Sequence, residues 1–335
     1  MISAEKYEIK QKKDLSEKQL NKTDDFIMKK STNGEFINTF YYLAYHPEGR
    51  FQDDSIVILD RGSGEIKGVM MAAYDDNGTV TSYPGTTFAG PIVDRNAKIE
   101  VTEIIMDKIL NYYENKYKEV IIKKTPEYYT KQPFQLIDYI LLQRGYVFAM
   151  SALANIINID KTDSENDILS LFHSKRRNQV KKVMTEDKFT FSEEENIREE
   201  VWRNMNENLH NKFDSKTTHT LADIRELKRR YPNHIKTYYV DTFEGEYGAF
   251  AVIFLYKNVF HTQYLDVNYK YVKQYPNLLL IKELIRIAGE LGYRYFSFGA
   301  STEDGGAVLN YGLYDYKAEY GGGDILLPVY RKGEL

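Results

Sequence analysis

The sequence predicts an α/β protein (in the broader sense α+β) built from two similar halves side by side. Its 335 residues exceed the roughly 250–300 at which a single hydrophobic core stops growing, so two domains are expected. Apolar residues at 42% and charged residues at 28% give a globular balance that excludes extended disorder. A meander of short strands followed by a helix and a further strand can also be read twice along the chain, which sets the expected domains at 1–160 and 161–335.

In the first half, Asn33-Gly34 marks a turn and Glu35–Tyr45 a helix. Ser55–Asp60 and Ile66–Tyr74 read as strands joined by the hairpin signal Arg61-Gly-Ser-Gly64. Asp76-Asn-Gly78 turns into Thr79–Tyr83. Val101, Ile104, Ile105, Ile109 and Tyr112 have helical spacing, so Ile99–Tyr117 is a helix. Glu119–Lys123 is a strand, Gln135–Gln143 a helix, and Val147–Ile159 one long apolar strand. The polar stretch Asp160–Asp167 then bridges the halves.

In the second half, Ile168–Glu186 reads as a helix, Phe189–Phe191 as a strand and Arg198–Asn211 as a helix. Thr220-x-x-Asp223 caps a helix running to Arg230, which Pro232 ends. Three strands follow, His234–Asp241, Gly248–Tyr256 and Val259–Asp266. Leu278–Leu291 is a helix closed by Gly292, and Tyr295–Phe298 has the character of a buried strand.

Composition removes several functional classes. There is no cysteine, which excludes disulfides and thiolate-ligated metals and suits a cytoplasmic location. The formal charge of −4 gives no global drive toward duplex DNA. No apolar run approaches the roughly 20 residues of a membrane span, and Met1–Asn21 lacks a signal core. None of the six histidines has metal-ligand spacing, so no metal is expected. Gly-x-Ser-x-Gly and Walker motifs are missing, against a hydrolase or an NTPase.

The stretch with most chemical content starts at Tyr295-Phe-Ser-Phe-Gly-Ala-Ser-Thr-Glu-Asp-Gly-Gly and continues through Asn310-Tyr-Gly-Leu and Lys317-Ala-Glu-Tyr-Gly-Gly-Gly. A buried strand opens into a glycine-rich loop carrying Ser301, Thr302 and Glu303, a usual position for an α/β site. The basic run His173-Ser-Lys-Arg-Arg-Asn-Gln-Val-Lys-Lys is either a solvated helix face or a phosphate clamp through Arg176 and Arg177.

These segments resemble the FemAB-like acyltransferases of the GNAT superfamily. The resemblance rests on Tyr275-Pro-Asn-Leu-Leu-Leu, Glu283, Gly292-Tyr-Arg-Tyr-Phe-Ser-Phe-Gly-Ala-Ser and the ending Asn310-x-Gly-Leu-x-x-x-Lys317-x-x-x-Gly-Gly. Ser82-Tyr-Pro-Gly-Thr-Thr-Phe-Ala-Gly-Pro-Ile-Val, Asn206-Glu-Asn-Leu, Thr218-His-Thr and His261-Thr-Gln-Tyr agree in order, so it spans about residues 25–330.

The resemblance implies two tandem GNAT-like domains, each a mixed, mostly antiparallel sheet flanked by helices, with the cleft in the second. It implies transfer of an acyl group from acyl-CoA or aminoacyl-tRNA to an amine on an amino sugar or a cell-wall or polysaccharide precursor. The acceptor would be a small molecule or lipid- or nucleotide-linked, with peripheral membrane contact left open. A non-catalytic module binding a nucleotide sugar or glycolipid is the competing reading. The tRNA donor is the less favoured, since no long coiled-coil arm is present. Acyl-CoA is the co-substrate the superfamily implies, although Lys273-Gln-Tyr-Pro-Asn-Leu stands where a glycine-bearing phosphate loop is usual. The helix start at Asn277 and Leu278 is then the donor-binding element. Glu303, His219 and Lys317 are the expected catalytic residues, with Asp266 a further proton acceptor. Gln263, Tyr264, Ser301, Asn310, Arg176 and Arg177 are the expected substrate-binding set.

Overall fold

A computed structural model describes residues 3–149, 151–160, 162 and 164–333. The expected domain junction at 160/161 falls partly on Lys161, outside the described residues. By its internal contacts the chain forms two compact units. The first runs to Ala152 and takes back the strand Val329–Gly333; the second holds Leu153–Asp304 and Val308–Ile325.

The first unit has two sheets. One orders Tyr7–Gln11, Ile56–Asp60, Ile66–Met70 and Ile92–Val93; the other orders Gln52–Asp53, Ala73–Tyr74, Thr79–Thr81, Glu119–Lys123, Val329–Gly333 and Val147–Phe148. Thr79–Thr81 and Glu119–Lys123 run parallel, with Ile99–Glu114 as the helix between them in sequence. That helix buries Thr102, Ile105, Met106, Ile109, Leu110 and Tyr113 at intervals of three and four, the stripe that lays a helix on a sheet.

Beside the two-stranded pair Thr302–Glu303 and Val308–Leu309, the second unit is built on one seven-stranded sheet. Its order is Phe189–Glu193, Ile235–Thr242, Tyr247–Leu255, Val259–Val267, Tyr295–Ala300, Leu153–Asn158 and Gly323–Leu326. Val259–Val267 and Tyr295–Ala300 pair parallel, and the connecting helix Pro276–Glu290 buries Leu278, Ile281, Leu284 and Ile285 in the core. All nine residues of Tyr247–Leu255 are buried, as a strand covered on both faces requires. Both units therefore contain the same motif, a parallel strand pair bridged by a long helix.

Three expected elements are divided. Val147–Ile159 is two strands, Val147–Phe148 and Leu153–Asn158, and each serves a different unit; Met150 between them lies outside the described residues. Ile168–Glu186 is two helices, Glu165–Leu171 and Ser174–Glu186, parted at Phe172, whose backbone is extended. Glu35–Tyr45 is a 3-10 turn, Phe36–Asn38, followed by the single turn Phe40–Leu43. There Thr39 leaves helical geometry to cap the Tyr42 N–H with its hydroxyl.

Candidate active site

The parallel pair of the second unit does not stay together. Val259, Phe260 and His261 face Tyr295, Phe296 and Ser297, and pairing stops there while the Val259 strand continues to Val267. A bulge falls at the same level. Val252 faces Tyr264 and Ile253 faces Thr262, so Gln263 has no opposite residue. Such a bulge bends its strand and leaves backbone groups outside the ladder. A cavity of about 340 Å³ opens beside the parting strands, lined by Thr262 to Val267, Phe298, Asn277, Tyr316 and Lys317 among others.

The first unit has the same parallel pair but fills the space with its own chain. Ser82 N–H donates to the Ile121 carbonyl (2.8 Å), the Ser82 hydroxyl accepts from Lys123 N–H (2.7 Å), and Ala89 and Gly90 N–H both donate to the Lys123 carbonyl (2.9 Å). Gly90 is required there, because a Cβ would lie 2.9 Å from the Cα of Lys124. Backbone pairing occupies the position that in the second unit is a cavity.

Lys317 is almost fully buried in the cavity wall. Its amine donates to the carbonyls of Gly299 (3.1 Å) and Ala300 (2.5 Å), presented by a backbone that Gly299 turns at φ +71°. Burial lowers its pKa to about 7, since a desolvated site disfavours the ammonium. Donating both hydrogens of a neutral amine to these carbonyls leaves its lone pair as an acceptor; the protonated form has a third N–H instead. His261 is half-buried with Nδ1 3.1 Å from the Ser297 hydroxyl, and desolvation, helped by the nearby Lys317, lowers its pKa to about 3. It is therefore neutral at physiological pH.

Tyr264 lines the cavity, and its phenol oxygen lies 2.7 Å from Nδ1 of the buried His219. The same oxygen accepts the His219 backbone N–H at 3.2 Å. The phenol oxygen thus meets both the ring and the backbone of His219 and fixes the two side chains against each other. Gln263 and Asp266 also line the cavity; Asp266 accepts from the Asn208 amide (3.0 Å) and the Tyr247 hydroxyl (3.3 Å).

The remaining expected residues divide between cavity and framework. Asn277 donates from Nδ2 to the Tyr316 hydroxyl (3.0 Å), while its Oδ1 is buried without a partner. Leu278 points into the core, and its N–H is donated to the Tyr275 carbonyl (3.0 Å). Ser301 is buried and donates to Asn155 Oδ1 (2.6 Å). Asn310 caps the helix Tyr311–Ala318 and donates to Glu303 Oε1 (2.6 Å), and that carboxylate is exposed outside the cavity lining.

Arg176 pairs with Glu319 (2.5 Å) and lies over the rings of Tyr316 and Tyr320. Arg177 donates to the carbonyls of Leu169, Ser170 and Phe172, which a helix end otherwise leaves unsatisfied. The structure therefore gathers Lys317, Gln263, Tyr264 and Asn277 on one cavity, with His219 behind Tyr264. Sequence reasoning passed over Tyr316 and the bulge. Tyr316 lies next to Lys317 and could have been found; a bulge between two ordinary β-formers leaves no signal.

The start of the Pro276 helix is poorly furnished for a pyrophosphate. Pro276 has no N–H, Leu278 N–H is already used, and the residue before them, Tyr275, sits at φ +61°. An unpaired amide oxygen faces this end, an acceptor that suits a ligand N–H better than a phosphate oxygen.

Residues 174–318 match the family described as acetyltransferase (GNAT) domain. The matched segment falls largely within the second unit. Over the whole chain the fold is a tandem-GNAT fold. It is shared with FemX at a TM-score of 0.66 and 12% identity, over 93% of this chain and 95% of that one. A tandem GNAT protein from the clavulanic acid biosynthesis pathway superposes at 0.54 and 9% identity, over 97% and 98% of the two chains. L-PGS from Bacillus licheniformis does so at 0.53 and 13% identity, over 84% of each. A comparison with curated protein sequences found no match.

Proposed function

We propose that the chain transfers an acyl or aminoacyl group from an activated donor to an amine on an amino sugar or a cell-wall or polysaccharide precursor. The single observation behind this reading is the cavity at the parting of the Val259 and Tyr295 strands, with Lys317 in its wall. It lies within the segment that matches the GNAT acetyltransferase domain.

In this reading the acyl carbonyl lies along the Val259 strand, where backbone freed by the Gln263 bulge and the protonated Lys317 amine can stabilise the oxyanion. The acceptor nitrogen must attack as a free amine. Lys317, with its pKa near 7, can take one proton from an incoming ammonium and return it to the leaving group, while the second proton shed by the attacking nitrogen passes to solvent. Tyr264, held by His219, and Asn277 orient the reactants, and alignment of this kind can be worth up to roughly 7–11 kcal/mol.

Both donor classes have support. One tandem relative is described as solved without AcCoA. Another structure of this fold is described as the C-terminal domain of a putative lysylphosphatidylglycerol synthetase, at a TM-score of 0.56 and 10% identity. The test is to supply acetyl-CoA and aminoacyl-tRNA separately with a panel of amino-sugar acceptors and to follow acceptor mass. Transfer from one donor, lost in Lys317→Ala, is expected. A folded protein that moves neither group to any acceptor overturns the reading.

A further inference from the structure

Two strands away from the cavity, the second unit has another recess, of about 420 Å³, formed by the helix Leu221–Arg230 and the segment 195–197. Three cations line it: Arg225, Lys228 and Arg229. At intervals of three and four they share one face of that helix. Basic residues in a last turn suit the helix dipole without further purpose. Lys228, however, is not on the solvent side.

Lys228 is buried to 7% exposure. Its ammonium donates to the Glu194 carbonyl and the Thr237 hydroxyl, each at 2.9 Å, and makes no ion pair. Arg225 likewise gives one Nη to the Ile197 carbonyl (2.6 Å) and meets no carboxylate. Arg229 is neutralised by Glu226 through two contacts, at 2.8 and 2.7 Å. The one acid in the lining is the exposed Glu195. Two cations that make no ion pair, one of them deeply buried, therefore line one recess. Burial lowers the pKa of Lys228 even though Glu195, Glu193 and Glu194 pull the other way.

We propose that this recess binds a phosphate group, held by the Lys228 ammonium and the Arg225 guanidinium. A tetrahedral oxyanion would take the remaining ammonium N–H of Lys228 and the open edge of Arg225, as charge-assisted bonds. The volume leaves space for the carbon skeleton of a phosphate ester beside the phosphate itself. The site is independent of the transferase reading, since none of its residues lines the cavity beside Lys317.

The test titrates the full chain with inorganic phosphate, and in parallel with adenosine 5′-monophosphate, at constant ionic strength. The readouts are the thermal midpoint and the phosphorus-31 linewidth. The intact protein should gain several degrees and broaden the signal with at least one of the two. Arg225→Gln, at an exposed position, should weaken binding at least tenfold, and Lys228→Met should do the same. Binding of the ester alone assigns an ester ligand; equal binding of both assigns the free ion. No midpoint change with either ligand, or an equal change in Arg225→Gln, overturns the proposal. Should Lys228→Met fail to fold, Arg225→Gln alone decides.

Discussion

The amine of Lys317 donates to two consecutive carbonyls, those of Gly299 and Ala300, at 3.1 and 2.5 Å. It has no acid beside it to hold the charge, and its pKa falls from 10.5 to about 7. The turnover of the intact protein should therefore rise through a limb near pH 7. Lys317→Arg, charged at every accessible pH, should lose that limb and at least tenfold in kcat. A pH profile of kcat for the two proteins checks this.

The same shift has a stability consequence of definite sign. Between about pH 7 and 10.5 the unfolded chain binds the Lys317 proton and the folded chain does not. Stability contributed by this group therefore rises with pH across that window. Denaturant midpoints of intact protein and Lys317→Met, measured from pH 6.5 to 9.5, should show the smaller rise in the variant. Parallel curves would contradict the assignment.

Tyr264→Phe removes the hydroxyl that lies 2.7 Å from His219 Nδ1 and accepts the His219 backbone N–H. Losing these bonds at a buried histidine should cost about 1–3 kcal/mol. Hydrogen exchange at His219 should quicken, while the thermal midpoint of the first unit, if resolved, stays in place.

Asn277→Leu deletes an amide oxygen that has no partner in the free protein and an Nδ2 that donates to the Tyr316 hydroxyl. The first loss costs the free protein little and the second about 0.5–1.5 kcal/mol. Donor KM should rise about tenfold, with a fall in thermal midpoint no larger than the one lost bond accounts for. Steady-state kinetics set beside a melting curve separate the two effects.

In the first unit, Gly90→Ala would drive a methyl against the Lys124 backbone. Overpacking of this kind typically costs about 1–3 kcal/mol, readable by urea unfolding.

Much of this was visible in residue order. Thr220-x-x-Asp223 predicts a capping box, and both halves of it are formed. Ile105 and Ile109 of Ile99–Glu114 and Leu278, Leu280 and Leu284 of Pro276–Glu290 lie on buried stripes, because a 3.6-residue period leaves a mark in one dimension. The three strands from Ile235 to Val267 are equally legible from their β-formers and short turns. What could not be read depends on partners distant in sequence. The apolar run Val147–Ile159 has the composition of one strand, and only the choice of neighbours divides it. Arg177 has the look of a phosphate clamp until a neighbouring helix brings three carbonyls to it. The bulge at Gln263 exists only relative to the Tyr247 strand, so a single strand cannot announce it.

The strand Val329–Gly333 lies between Glu119–Lys123 and Val147–Phe148, pairing with both. On the ribosome, then, this sheet waits for a strand made after all the residues of the second unit. The second unit can acquire its core while the first still lacks an interior strand. An arrested or clipped polypeptide would leave the Glu119 strand with a bare edge, open to association with other chains.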